Sequence, residues 1–346
     1  MPAAMPPDSA DSAPRAEVPV PRFDLFYRHA ELTRLLHDYA RALPHLVQVS
    51  SLGKSHEGRD IWLVTLTRRA TGAAEDKPAF WVDGNIHAAE LAASTACLYW
   101  LHQLVTGYTK DKAIRQLLDT RAIYIVPRLN PDGAELALAA RPRHIRSSTR
   151  PYPYDEAPVE GLTIEDVDGD GRVLTMRIPD PHGPYKKCEH DPRLMVAREP
   201  GEFGGEYYRL MPEGTLKNFD GIKVTANKDR EGLDLNRNFP AYWRQEFEQA
   251  GAGPYPTSEP EVRAMVDFIA RRPNIGAAVS FHTHSGVILR PMGTQADDDM
   301  TPEDLWMYKR LSDLGARLSG YPAISIYHEF KYHPKEIITG TQDWVY

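Results

Sequence analysis

The chain has 346 residues, of which 42% are hydrophobic and 26% charged; these proportions are ordinary for a globular protein and exclude fibrous and disordered classes. The formal net charge of −7 gives no electrostatic reason to expect nucleic acid or an anionic membrane as the main partner. The two cysteines, Cys97 and Cys188, can form at most one disulfide, which favours a reducing compartment. Residues 1–22 lack the features of a signal peptide and are expected to form a flexible leader, so the predicted location is cytoplasmic.

From residue 23 onwards, the chain alternates helical and strand patterns. Leucines at helical spacing predict a first helix at Glu31–Leu43, and two later helices are predicted at Glu90–Val105 and Glu259–Ala270. Leu91–Thr109 has no charged residue but includes several polar ones, so it is predicted to be a buried helix rather than a membrane span. Short apolar or alternating runs predict strands at Ile61–Thr67, Ala79–Val82, Ala122–Val126 and Ala277–Phe281. This alternation indicates a sheet covered by helices.

Residues 147–231 have a different composition, rich in proline and glycine and with little periodicity. They are predicted to form a long irregular insertion packed on the core, within one domain that spans 23–346. Asp166–Gly171 resembles the first half of a calcium-binding loop, but Arg177 occupies the position where such a loop needs a glutamate. An acidic turn without calcium is therefore the favoured interpretation.

The strongest chemical signal is the pair His87 and Glu90, which follows a predicted strand and opens a predicted helix. Side chains three positions apart on a first helical turn lie on the same face, and ligands of open α/β sheets bind at the carboxyl ends of strands. A second pair with the same spacing, His333 and Glu336, lacks such a setting and is interpreted as a surface pair.

A catalytic zinc site has three protein ligands and one open position, with two ligands often close in sequence and the third distant. His87 and Glu90 suit the close pair. His282 is the best third ligand because it ends the predicted strand Ala277–Phe281. His284 competes with it, since alternate residues of an extended segment point the same way.

The motifs as a set resemble the zinc carboxypeptidase family, the carboxypeptidase A-like metallocarboxypeptidases, and they occur in the family's order along most of the chain. The matching segments are Gly53–Asp60, His87–Glu90, Asn130–Gly133, Arg143–Arg146, Asp234–Phe239, Ser258–Glu261, Phe281–Ser285 and Asp343–Tyr346. The resemblance implies a single-domain α/β fold, a mixed sheet with helices on both faces.

The resemblance also implies the site residues. One Zn²⁺ per chain is expected to be bound by His87, Glu90 and His282, the last preferred over His284 on this ground. Arg146 matches the residue that polarises the scissile carbonyl, and Asn236 and Arg237 match the pair that holds the terminal carboxylate of the substrate. Tyr346 matches the mobile tyrosine that closes over it. The expected partner is a peptide or peptide-like substrate with a free C-terminal carboxylate.

The chain departs from the family pattern at its end. The family's catalytic base is a glutamate that follows the closing tyrosine, whereas this sequence ends at Tyr346; Glu329 and Glu336 precede the tyrosine, so neither can be matched to it. The expectation is a chain that is incomplete at the C-terminus. Two alternatives stay open: a zinc amidase acting on cell-wall peptides or acylated amino acids, and a non-catalytic protein that binds zinc and peptides.

Overall fold

The computed structural model describes residues 17–140, 142, 145–151, 161–227, 231–283, 285–330 and 338–346. Within these ranges the helices are α1 His29–Ala42, α2 Leu91–Gly107, α3 Lys112–Thr120, α4 Pro131–Ala137, α5 Pro260–Ala270, α6 Pro302–Ser319, α7 Ile326–Glu329 and α8 Thr341–Val345. The strands are β1 Val47–Lys54, β2 Asp60–Leu66, β3 Ala79–Gly84, β4 Ala122–Val126, β5 Gly161–Ile164, β6 Thr175–Pro179, β7 Tyr185–Lys187, β8 Met195–Ala197, β9 Tyr208–Pro212, β10 Gly214–Lys217, β11 Ile275–Phe281, β12 Ile288–Arg290 and β13 Ala323–Ser325. Every helix and strand predicted from the sequence is present, with ends within two residues.

The central sheet has five strands in the order β1-β2-β4-β3-β11. The first three strands pair antiparallel, while β4, β3 and β11 pair parallel. The sheet is therefore mixed, as predicted. Its parallel half brings the carboxyl ends of β3 and β11 side by side, with Phe281 opposite Gly84.

Helices cover both faces of this sheet. On one face, α1 and α2 pack Leu36, Leu98 and Leu101 against the strands, and on the other face α5 contributes Val262 and Met265. Strand β4 is buried at each of its five positions, as expected of a strand covered on both sides. Among the described residues, no helix combines the length and the apolar character needed to cross a membrane.

The segment predicted to be irregular contains strands. β5 pairs with β10 in a two-stranded antiparallel sheet, and β6, β9, β7 and β8 form a second, four-stranded one. These strands have three to five residues each and are mostly half-buried or exposed. Alternation of polar and apolar residues arises when one face of a strand is buried. These strands bury little of either face, so their sequences lack the alternation that predicts a strand.

The acidic turn within this segment is closed by its own carboxylates. Asp166 accepts hydrogen bonds from the backbone N–H groups of Gly169 and Gly171, at 2.7 and 2.9 Å. The buried carboxylate of Glu213 accepts from Val167 and Leu174. These bonds fit the prediction of an acidic turn.

Candidate metal centre and substrate cleft

The loop that follows β3 fixes the position of His87. Asn85 adopts a left-handed backbone conformation with φ of 59°, which asparagine tolerates better than most residues. Its side-chain Nδ2 donates hydrogen bonds to the carbonyl oxygens of His87 and Ala88, at 2.8 and 3.1 Å. The chain then reaches Glu90, the residue before α2. This tight turn directs His87 and Glu90 towards the carboxyl ends of the parallel strands.

His282 follows β11, the neighbour of β3, and its side chain meets those of His87 and Glu90. His87 Nδ1 lies 2.9 Å from Glu90 Oε1, and His282 Nδ1 lies 2.8 Å from Glu90 Oε2. The two Nδ1 atoms are 3.1 Å apart. The three predicted ligands therefore come together. His284, the competing candidate, lies outside the described residues.

The donor set suits zinc. Ligand atoms arranged as a tetrahedron at about 2.0–2.1 Å from zinc lie ~3.3 Å from one another, close to the separations observed here. Two imidazole nitrogens and a carboxylate directed at one point need a cation or a proton between them. Burial alone would raise the pKa of the Glu90 carboxyl, but hydrogen bonds from His282 and His87 lower it. The carboxylate is thus kept in the charged form that a metal requires.

Asp234 is a member of this site whose role the sequence analysis did not assign. Its Oδ1 lies 3.2 Å from Nε2 of His87, an ion-pair distance outside hydrogen-bond geometry. Burial would raise the pKa of the Asp234 carboxyl, but the charges of His87, Arg237 and Arg146 hold it well below its usual range. Asp234 is an anion behind the first histidine, as is common for metal-binding imidazoles.

Arg146 lies beside the three predicted ligands. Its Nε donates a 2.7 Å hydrogen bond to Asp234 Oδ2, and its Nη1 is 3.6 Å from Glu90 Oε1. The side chain is 44% exposed. A guanidinium held at its Nε by a buried carboxylate, beside the three predicted ligands, is well placed to bind an oxygen anion.

Asn236 and Arg237 form the wall next to Asp234. They lie in a short 3₁₀ turn, Leu235–Arg237, in which Asp234 Oδ1 accepts a hydrogen bond from the Asn236 backbone N–H at 2.9 Å. Asn236 Oδ1 accepts from both the N–H and the hydroxyl of Thr341, each at 2.9 Å. These bonds direct the oxygen side of the amide towards α8 and its nitrogen away from it.

Within the described residues, the Arg237 side chain donates its hydrogen bonds through Nη1. That atom donates to the carbonyl oxygens of Asn236 and Thr339, at 2.9 and 3.2 Å, and the residue is 8% exposed. A buried guanidinium held on one side by neutral acceptors can bind a carboxylate with its other N–H groups.

Tyr346 stands at the far end of α8 from Thr341. Its hydroxyl donates to Asp304 Oδ2 on α6 at 3.2 Å, and its ring lies 6.0 Å from that of Tyr308. The described contacts of Tyr346 thus join it to α6 rather than to His87, Glu90 or His282, and its role as the closing tyrosine stays a prediction.

Glu329 and Glu336 are the last two glutamates before Tyr346. Glu329 accepts a hydrogen bond from the Ser325 N–H at 2.8 Å and so stabilises the start of α7. Glu336 and His333 lie outside the described residues.

Known proteins resemble this chain in sequence and in fold. A family profile described as zinc carboxypeptidase matches residues 32–158 and 213–346. A zinc carboxypeptidase of Saccharothrix mutabilis subsp. capreolus is 38% identical over 96 residues, which cover 28% of this chain and 22% of that protein. Carboxypeptidase A6 of Mus musculus is 23% identical over 280 residues, covering 78% of this chain and 45% of that protein. The chain thus spans less than half the length of these two curated relatives.

A solved structure shares the fold. The crystal structure of the carboxypeptidase A from Helicoverpa armigera superposes with a TM-score of 0.62 at 20% identity, covering 97% of this chain and 64% of that one. The residues between the two parts matched by the family profile, 159–212, include strands β5 to β9. The extra antiparallel strands therefore lie largely outside the part that the profile describes.

Proposed function

Because this chain belongs to the zinc carboxypeptidase family, we propose that it is a zinc-dependent hydrolase that releases the C-terminal residue of peptides. One observation carries the proposal: His87 Nδ1, His282 Nδ1 and the Glu90 carboxylate converge within 3.1 Å of one another at the carboxyl ends of two adjacent parallel strands. Two imidazoles and a carboxylate that converge on one point form the donor set of a catalytic zinc site.

His87, Glu90 and His282 would hold one zinc ion. Bound there, zinc supplies a Lewis acid that polarises a peptide carbonyl and lowers the pKa of a coordinated water to ~7. Asp234 would stabilise the orientation of the His87 ring from behind, and the Arg146 guanidinium would stabilise the carbonyl oxygen of the substrate as negative charge develops on it.

Asn236 and Arg237 would select substrates with a free C-terminus. Arg237 can bind the terminal carboxylate through the N–H groups that are not directed at Asn236 and Thr339, and the Asn236 amide nitrogen adds a neutral donor. Both residues join Asp234 in one 3₁₀ turn, so the carboxylate clamp and the metal centre are held by the same short segment. This connection sets a fixed distance between the end of the substrate and the bond to be cleaved.

We assign no general base among the described residues. Glu336 lies outside the described residues. The carboxylate of Glu329 accepts a hydrogen bond from the Ser325 N–H. The peptide-hydrolysing function therefore rests on the metal centre and the clamp.

The test uses one peptide made with a free and with an amidated C-terminus, incubated with zinc-loaded and with chelator-treated protein. Mass spectrometry should show loss of a single C-terminal residue from the free peptide, with zinc only. Equal cleavage of both peptides, or internal fragments, would contradict the proposal. Release of products from cell-wall peptides, without turnover of ordinary peptides, would favour the amidase alternative.

A further inference from the structure

Arg128 is buried behind the loop that carries His87. It follows β4 and Pro127 and is 3% exposed. Its Nε donates a hydrogen bond to Asn85 Oδ1 at 3.1 Å, and its Nη2 donates to the carbonyl oxygen of Tyr27 at 2.9 Å. Both acceptors are neutral, which is unusual for a buried guanidinium.

A nearby carboxylate does not provide the missing ion pair. The oxygens of Glu135 accept hydrogen bonds from the Arg28 guanidinium, at 2.7 and 2.9 Å, and from the backbone N–H of His29 at 2.7 Å. Burial lowers the pKa of Arg128 to about 10, even though the charge of Glu135 acts in the opposite direction. A buried charge with neutral partners is often replaceable by an apolar residue without loss of stability, so stability alone gives no reason for an arginine here.

The bond from Arg128 determines which way the Asn85 amide faces. A guanidinium can only donate and a carbonyl oxygen can only accept. With Arg128 on one side, the amide oxygen must face Arg128, and the amide nitrogen must face the carbonyls of His87 and Ala88. Asn85 itself is fully buried, so water cannot replace any of these partners.

Other bonds hold the loop before and after the ligand. The backbone N–H groups of Leu129 and Asn130 donate to the carbonyls of Gly84 and Asn85, at 3.0 and 3.1 Å, while those of Ala88 and Ala89 donate to the carbonyls of Arg146 and Ile145, each at 3.1 Å. The His87 carbonyl accepts a bond of 3.2 Å from the Glu90 N–H and a shorter one, of 2.8 Å, from the Asn85 side chain, which also donates to the carbonyl of Ala88. Losing the Asn85 amide would therefore loosen the backbone of His87 while the end of β3 stays in place.

We propose that Arg128 is a positioning residue for the metal centre: through Asn85 it fixes the backbone of His87, and so the direction of its Nδ1. The proposal deepens the proposed function and rests on it, because it takes His87 as a zinc ligand.

The experiment compares Arg128→Met, which removes the donors but keeps a long side chain, with the wild type. Zinc affinity is measured by competition with a chromophoric chelator, and the stability of the metal-free protein by calorimetry. We expect zinc binding by the folded variant to weaken by about 10- to 100-fold, as for other groups that orient a metal-binding histidine. Arg272→Met is the matched control. Arg272 stacks on Phe268, 3.6 Å from the ring centre, at the opposite end of β3, and its replacement should leave zinc affinity unchanged.

Asn85→Gly supplies a second route to the same answer, because glycine keeps the left-handed backbone and removes the amide. It also leaves the bond from Arg128 to Tyr27 intact, so it tests the proposal even if Arg128→Met fails to fold. The double variant, which combines Arg128→Met with Asn85→Gly, should bind zinc within twofold of the Asn85→Gly variant.

Two results would overturn the proposal: zinc affinity of folded Arg128→Met within twofold of wild type, or full multiplication of the two effects in the double variant. A purely structural role for Arg128 would lower metal-free stability and leave zinc affinity unchanged. A wild-type protein that binds no zinc would instead contradict the proposed function.

Discussion

Asp234 Oδ2 accepts a hydrogen bond of 2.7 Å from the Nε of Arg146. Through its other oxygen, the same buried carboxylate faces His87 at 3.2 Å. One anion thus lies between a predicted zinc ligand and the residue predicted to bind the substrate carbonyl. A change at Asp234 should therefore affect both metal binding and transition-state stabilisation.

Asp234→Asn keeps the shape of the side chain and removes its charge. The His87 ring and the Arg146 guanidinium then lose an anionic partner, and we expect zinc affinity to fall by about 10- to 100-fold. Chelator competition measures this change. Asp304→Asn, which removes the charge beside Tyr346, is the control and should bind zinc as the wild type does. Wild-type affinity in Asp234→Asn would show that the contact with His87 has no bearing on the metal.

Arg237→Ala tests the carboxylate clamp. A charge-paired fork lost from a buried site typically costs ~2–5 kcal/mol, so kcat/KM for a peptide with a free C-terminus should fall by about 30-fold or more. The comparison is made with Arg271→Ala, a change at a side chain that is 76% exposed at the end of α5 and should have little effect. A similar fall for both variants would remove Arg237 from substrate recognition.

Glu261 gives the chain a pH-dependent stability. The residue is fully buried, and burial raises the pKa of its carboxyl from 4.5 to about 7, although the His56 N–H donates to it. Because the folded protein holds this proton more tightly than the unfolded chain, the stabilisation is complete below pH 4.5 and is lost as the pH rises through 7. At ~1.4 kcal/mol per pKa unit, the loss amounts to roughly 3 kcal/mol.

Glu261→Gln removes this titration and keeps an oxygen to accept the His56 bond. The free energy of unfolding of the variant, relative to wild type, should therefore increase by roughly 3 kcal/mol between pH 4.5 and pH 8. Denaturant titrations of metal-free protein at the two pH values measure it. Glu75→Gln, at a side chain that is 62% exposed, is the control. A constant difference between Glu261→Gln and wild type across this range would contradict the expectation.

The buried parts of the fold and the close pair of ligands could be predicted because their signals are local. β4 is apolar throughout since both of its faces are covered, and His87 and Glu90 share one turn between a strand and a helix. β1 was not predicted. Its sequence, VQVSSLGK, mixes small and polar residues because it is an edge strand with much of its surface exposed.

The roles of Asp234 and Arg128 could not be read from the sequence for a different reason. Each residue acts on His87 from a distant position in the chain, Asp234 directly and Arg128 through Asn85. Contacts of this kind depend on how β3, β4 and the later turn pack together, which no local pattern records. A buried arginine also looks the same in sequence as one on the surface.

The most direct test of the metal centre is the zinc content of His282→Ala. Inductively coupled plasma mass spectrometry of the purified wild type should find one zinc per chain, as a catalytic site with three protein ligands requires. His282→Ala should lose most of it, and His284→Ala should keep it. Stoichiometric zinc in His282→Ala, with loss of zinc in His284→Ala, would contradict the metal centre described above.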